Sequence, residues 1–191
     1  MTLRERASIA FDILTNKSLP NIYNVQSWQS SSGLTDSQGS YEEMLAHYQS
    51  WVFACVNVIA KAVSRARLRL YVDRGADELE EINGHPILEV LSNPNPFETK
   101  SEFIYKTSAQ LQLTGNSYWY KVLDGLSVVR ELWTLPVEEV KIIPSDANFI
   151  SRYELRRFKQ NPIPFSVEEI IHHKYPNPDD PYYGRSVLMA A

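Results

Sequence analysis

One cysteine, Cys55, among 191 residues leaves nothing to build an intrachain disulfide framework or a multi-cysteine zinc site, and such usage suits a reducing interior. Long apolar runs are missing too. The most apolar stretch, residues 51–60, falls well short of the roughly 20 residues that span a bilayer. Arg4, Glu5 and Arg6 are followed only by short apolar pieces, not by the core of an export signal. There is no basic excess: 19 Lys and Arg stand against 23 Asp and Glu, a net charge of −4, the wrong sign for a broad non-specific grip on a phosphate backbone. No glycine loop has the spacing that cradles nucleotide phosphates, and there is no nucleophile elbow.

What is present reads as one folded domain with an appendage, since 43% of residues are hydrophobic and 22% charged, ordinary for a chain with a real core. Residues 1–40 differ from the rest. Leu3, Ala7, Ala10, Phe11 and Leu14 can share one helix face, but residues 26–40 are rich in Ser, Gln, Gly and Thr, too polar to offset the entropy of ordering. A flexible N-terminal arm is expected there, with Trp28 as a lone exposed aromatic. An α+β body is expected over residues 41–185, and residues 186–191 read as the start of a further helix that is cut off.

Within the body, residues 41–66 fit a long helix. From Trp51 to Val63 only Asn57 and Lys61 are strongly polar, four apart and so on one narrow stripe. This helix is expected to be buried almost all round, deep in the domain, under neighbouring subunits or under a further part of the protein. Cys55 then serves packing, poorly reached by solvent. Leu68, Leu70 and Val72 alternate with Arg67, Arg69 and Asp73, the pattern of a strand with one wet face. Asn83-Gly84 marks a turn, and Pro86 suits the first position of a short helix through Leu91. The two prolines between Ser92 and Phe97 make a rigid connector. Thr99 or Ser101 caps a helix over residues 101–113, which Gly115 ends.

Residues 117–123 and 126–133 flank Asp124-Gly125, a strong hairpin signal. A two-residue loop would set Tyr120 opposite Val129, Tyr118 opposite Glu131 and Trp119 opposite Arg130. Large side chains then lie on both faces, so the sheet is expected to be covered on both sides, or on one side by another chain. Further strands are expected over residues 140–143, 153–159 (basic and exposed) and 170–174, with a loop over 176–181 and Ser186 capping the last, cut-off helix.

Catalytic chemistry is sparse. His47, His85, His172, His173 and Cys55 are the only imidazole or thiol ligands. A metal-dependent hydrolase is conceivable only around His172, His173, Asp179 and Asp180, yet adjacent histidines on a strand point to opposite faces. Glu42-Glu43, Glu80-Glu81 and Glu138-Glu139 read as solvated neighbours. No catalytic residue, cofactor or metal is expected, and the weight moves to binding or scaffold roles.

Several landmarks, read in order, resemble the portal proteins of tailed phages, specifically the HK97-type family. They are the helix over residues 51–60; the strand over residues 67–72; His85 to Pro96 with its Pro-Asn-Pro turn; Leu113 to Tyr118 with glycine-asparagine-x-tyrosine; Leu132 to Val140 with leucine-proline; residues 170–174; and Tyr183 to Leu188. One departure is Val187, where the family commonly has proline. The resemblance covers about residues 41–191. It implies a wing-like α+β domain with a long buried helix and a mixed or antiparallel sheet including the Asp-Gly hairpin, truncated before stem and clip. It further implies a structural subunit, not an enzyme, in a ring of usually twelve copies at the capsid vertex. The localisation implied is the virion, after assembly in the host cytoplasm. The partners implied are the major capsid protein, the terminase large subunit, a head-tail adaptor and double-stranded DNA that passes without sequence-specific binding; no membrane is involved. Head-to-tail ring contacts favour aromatics, which nominates Tyr118, Trp119, Tyr120 and Trp133 as subunit-interface residues. A prophage-derived scaffold that binds protein partners without forming a conduit is the alternative beside the hydrolase.

Overall fold

The computed structural model describes residues 52–75 and 79–190, so the expected arm, Trp28, His47 and the start of the first helix lie outside the described residues. The elements run α1 (Phe53–Ser64), β1 (Leu70–Asp73), β2 (Leu79–Ile82), α2 (Pro86–Ser92), α3 (Lys100–Thr114), β3 (Asn116–Leu123), β4 (Val129–Leu135), β5 (Val140–Ser145), β6 (Phe149–Leu155), β7 (Ile163–Phe165) and β8 (Ile170–Lys174). Short 3-10 turns occupy Val137–Glu139, Val167–Glu169 and Val187–Ala190. The pairings are antiparallel throughout, in sheets ordered β1-β2, β4-β3-β8 and β5-β6-β7. The architecture is α+β, as expected.

Local chemistry sets the helix ends. The Thr99 hydroxyl accepts from the Glu102 amide at 3.3 Å while the Glu102 carboxylate accepts from the Thr99 amide at 2.9 Å, a reciprocal cap. Those bonds hold the Glu102 carboxyl below its usual range. Helix α3 stops at Gly115, whose φ of 76° is the left-handed conformation that glycine adopts without penalty. At α2 the His85 ring accepts from the Ile87 amide at 3.2 Å, and Pro86 takes the first helical position.

Three clusters of buried side chains define four layers. Val56 and Ala60 of α1 meet Ala109 and Leu113 of α3. Phe103 of α3 then packs on Trp119 and Leu132, with Val90 and Leu91 of α2 beside them. On the opposite face of that sheet, Tyr118, Tyr120, Trp133 and Leu135 pack against Val140, Ile142, Tyr153, Leu155 and Phe165 of the second sheet. The order is therefore α1, then α2 with α3, then β4-β3-β8, then β5-β6-β7. The sheet around β3 is covered on both sides by its own chain.

Three expectations need correction. Helix α1 is buried only along Val56, Ala60 and Ser64, while Val58, Ile59 and Val63 are 67, 42 and 46% exposed and Cys55 is exposed as well. Depth within this domain is thus not what its apolar sequence serves. The hairpin register differs: Tyr120 faces Trp133, Tyr118 faces Leu135 and Trp119 faces Thr134, each partner four residues beyond the expected one. The Asp124 carboxylate accepts from the Leu126 and Val128 amides at 2.8 and 3.0 Å, and Ser127, not Gly125, takes positive φ at 60°. An aspartate-organised loop with a bulge after Val122 wins over the two-residue turn because it sets Tyr120 against Trp133 in the core. Finally, β6 begins at Phe149 and ends at Leu155, and Tyr153, Glu154 and Leu155 are buried, so the basic segment leaves the sheet rather than forming it.

Candidate functional site: the asparagine joints

The run from Gly115 to Tyr120 opens β3, and its first two residues are fixed by segments far along the chain. Asn116 is buried at the junction of α3, β8 and the turn around Gly184. Its Nδ2 donates to the Thr114 and Gly184 carbonyls at 3.0 and 3.1 Å. Its Oδ1 accepts from the Gly184 amide at 2.7 Å and meets His172 Nε2 at 3.0 Å. With Nδ2 engaged on two carbonyls, the Oδ1 side is an acceptor, so His172 Nε2 carries the proton. All four hydrogen-bonding positions of one amide are used.

Glycine is required on both sides of this contact. A Cβ on Gly115 would lie 2.6 Å from the Arg185 carbonyl oxygen and 2.7 Å from the Ser186 nitrogen. One on Gly184 would lie 2.9 Å from the Tyr175 nitrogen and oxygen, and closer still to the Gly115 carbonyl oxygen. The Gly115 carbonyl in turn accepts from the Tyr175 amide at 2.9 Å. Ser186 completes the joint, its hydroxyl donating to the Gln112 carbonyl at 3.1 Å and accepting from the Leu188 amide at 3.1 Å.

A second asparagine performs the same office in the connector between α2 and α3. Buried Asn95, between two prolines, donates to the Leu132 carbonyl at 3.0 Å and accepts from the Phe97 and Glu98 amides at 3.0 and 2.9 Å. The Leu132 amide donates back to the Pro94 carbonyl at 2.7 Å. The connector before α3 is thereby tied to the strand beyond it.

His172 stacks on Tyr118, with ring centroids 4.4 Å apart. Burial pushes its pKa down to about 4, with the charge of Lys174 the next cause, so the ring is neutral at physiological pH. His173 lies on the other face, edge-on to Trp119 at 4.5 Å, and burial lowers its pKa too. Asp179 pairs with Arg185 at 3.2 Å, and the Asp180 carboxylate accepts from the Tyr182 and Tyr183 amides. The four residues nominated for a hydrolytic metal site are not brought together, and among the described residues no three His, Cys, Asp or Glu side chains converge. Burial drives the Tyr118 phenol well above its usual range, so it stays protonated. These groups hold elements in place and present no nucleophile with a base.

Tyr118, Trp119, Tyr120 and Trp133 are 0, 9, 0 and 4% exposed. Trp119 Nε1 donates to the Thr107 hydroxyl at 2.8 Å and its ring lies 4.7 Å from Phe103; Tyr120 packs on Phe165 at 4.8 Å. The structure brings all four into this chain's own cores. Sequence reading singled out the segments around Asn95, Asn116, Leu132, His172 and Gly184 one by one. Their convergence was invisible, because hydrogen-bonded partners 37 and 68 residues apart leave no mark on local periodicity.

Comparison with known proteins gives these joints a family. The model of the phage portal protein family matches residues 50–191, which contain every one of these segments. The chain belongs to the phage portal protein family. A curated relative of this portal chain, an uncharacterized protein of Rickettsia felis, is 28% identical over 145 residues, covering 73% of this chain and 36% of the relative. Among solved structures, a chain in the neck of an empty GTA particle computed with C6 symmetry is 25% identical with a TM-score of 0.62, over 72% of this chain and 36% of that one. Another, from the neck of a native GTA particle computed with C12 symmetry, shares the fold at 23% identity and a TM-score of 0.60. This chain spans about a third of the length of these relatives.

Proposed function

We propose that this chain is the wing-like body of an HK97-type portal subunit, one copy in a closed ring, usually of twelve, at a capsid vertex. The observation that carries the reading is the family match over residues 50–191. Similar chains in particle necks with sixfold and twelvefold symmetry support a ring and a virion location. In this reading double-stranded DNA passes through the ring without sequence-specific binding. The terminase large subunit, a head-tail adaptor and the major capsid protein dock on the full assembly, which is put together in the host cytoplasm.

The four layers then serve as a rigid block. Hydrogen bonds from Asn95 and Asn116 lock helix layer to sheet layer, so that force on one element reaches the whole body. The four core aromatics act as the packed base that shapes the outer surfaces, and any contribution they make to subunit contact passes through that shape. No bond chemistry is assigned to the chain. Among the described residues no helix is long and apolar enough to cross a membrane.

Electron microscopy and native mass measurement of the full-length protein test this. A closed ring of about a dozen copies is the expected result, and a protein that stays monomeric under all conditions would overturn it.

A further inference from the structure

The amide of an asparagine can react as well as hold. The backbone nitrogen of the next residue can attack its side-chain carbonyl carbon, closing a succinimide ring and expelling ammonia, and water then opens the ring to aspartate or isoaspartate. Three conditions favour this: an N–H on the next residue, no bulk beside that N–H, and an amide free to turn. Asn93, Asn95, Asn161 and Asn177 each precede proline, whose nitrogen bears no hydrogen. Asn57 precedes β-branched Val58 inside α1 and accepts from the Tyr105 hydroxyl at 3.2 Å, and Asn148 precedes bulky Phe149. Asn116 precedes small Ser117, but its amide is locked on the Thr114 and Gly184 carbonyls, the Gly184 amide and His172.

Asn83 alone among the described residues meets all three conditions, in the one Asn-Gly step of the sequence. Pairing of β1 with β2 ends at Ile82 and α2 begins at Pro86, so Asn83 and Gly84 lie between elements, and both are exposed. No hydrogen bond holds the Asn83 amide. A Cβ built on Gly84 would meet nothing within 4 Å, so the step stands in open solvent. Glycine adds the widest backbone freedom and no side chain to block the approach. Asp124-Gly125 has the same small neighbour, but the Asp124 carboxylate accepts from the Leu126 and Val128 amides at 2.8 and 3.0 Å and from Arg130 at 2.9 Å. Those bonds hold it ionised, and an ionised carboxylate resists attack.

We propose that Asn83 is the chain's fastest site of spontaneous deamidation, a modification that marks the age of the molecule at the link between the β1-β2 ribbon and α2. The bond from Gly84 N to Asn83 Cγ forms, the bond from Cγ to Nδ2 breaks, and the Gly84 amide proton leaves with the ammonia. Water is the only co-reactant. The product adds a carboxylate to a link that already follows Glu80 and Glu81. In its isoaspartate form the side-chain carbon enters the backbone and lengthens the link. The inference is independent of the ring reading above.

The test ages full-length protein at mildly alkaline pH, folded and in urea, and follows the amide-to-acid mass gain of each asparagine peptide. In the folded protein Asn83 is expected to react at least about tenfold faster than Asn57, Asn116 or Asn148, the rate ratio that about 1.4 kcal/mol of barrier makes. Gly84→Ala, which the open surroundings accept, should slow Asn83 about tenfold by placing a methyl beside the attacking nitrogen. In urea Asn116 should speed up as its partners are lost, while Asn83 keeps its rate because the fold never shielded it. Asn116 or Asn148 matching Asn83 in the folded protein would overturn the proposal. So would an undiminished rate in Gly84→Ala, or an Asn83 that reacts only once the chain is unfolded.

Discussion

Helix α1 and strand β3 are both strongly apolar, yet they meet opposite fates. Strand β3 holds Tyr118 and Tyr120 fully buried and Trp119 nearly so, each against a partner from this chain. Helix α1, in which only Asn57, Lys61 and Ser64 are polar, buries one stripe and leaves Val58, Ile59 and Val63 to solvent. The contrast teaches that hydrophobicity states that a surface will be covered, and not by what. For β3 the cover comes from α3 on one face and the second sheet on the other; for α1 it is not among the described residues.

The largest expected effect breaks the β3 side. Tyr120→Ala should destabilise the chain by about 3–5 kcal/mol, the range for emptying a large aromatic site in a packed core, and urea denaturation reads it directly. Gly184→Ala should cost about 1–3 kcal/mol or more, because its new methyl meets backbone on two sides and the joint must open. Asn116→Ala should cost about 1–3 kcal/mol by leaving the buried Gly184 amide and carbonyl without partners. Comparing the thermal midpoints of the two joint variants with Tyr120→Ala ranks joint against core.

His172 probes the buried side through pH. Its folded pKa is lowered to about 4 from the ordinary 6.5, so between those values the unfolded chain binds a proton that the folded chain refuses. Stability from this group is complete above about pH 6.5 and is lost as pH falls toward 4, by about 3–4 kcal/mol at most. His172→Gln should flatten that part of the stability profile. Glu138 works the other way: burial raises its pKa to about 7, so its contribution is present below about pH 4.5 and fades as pH rises through 7. Glu138→Gln should therefore raise stability at pH 8 relative to pH 5, measured by the same urea midpoints. The smallest effect lies on α1, where Val58→Ala should stay within about 0.5 kcal/mol in the unassembled chain, as exposed positions do.

Local order was legible wherever one residue type does one job. The helix start at Thr99, one of the two caps offered, the Gly115 stop, the Pro86 start and the strand from Ile170 to Lys174 all follow from neighbours in sequence. The register of β3 on β4 was not legible, because Asp124 can serve a two-residue turn or organise a longer loop, and the choice was made by Trp133 seeking the core. The start of β6 at Phe149 was missed for a related reason: it pairs with β5 across a short turn that carries no strong glycine or proline signal. The joints were legible as separate motifs and illegible as one structure, since the bond from Asn116 to Gly184 bridges all the chain from β4 through β8.

The most direct test of the central contrast is the alkylation rate of Cys55, read by peptide mass, in full-length protein before and after assembly. Cys55 lies on the exposed side of α1. The account predicts that it reacts readily in dissociated subunits and at least about tenfold more slowly in the ring, as a covered thiol does when access limits its chemistry. An equal rate in both states would contradict it, because the apolar side of α1 would then be bare in the assembled protein.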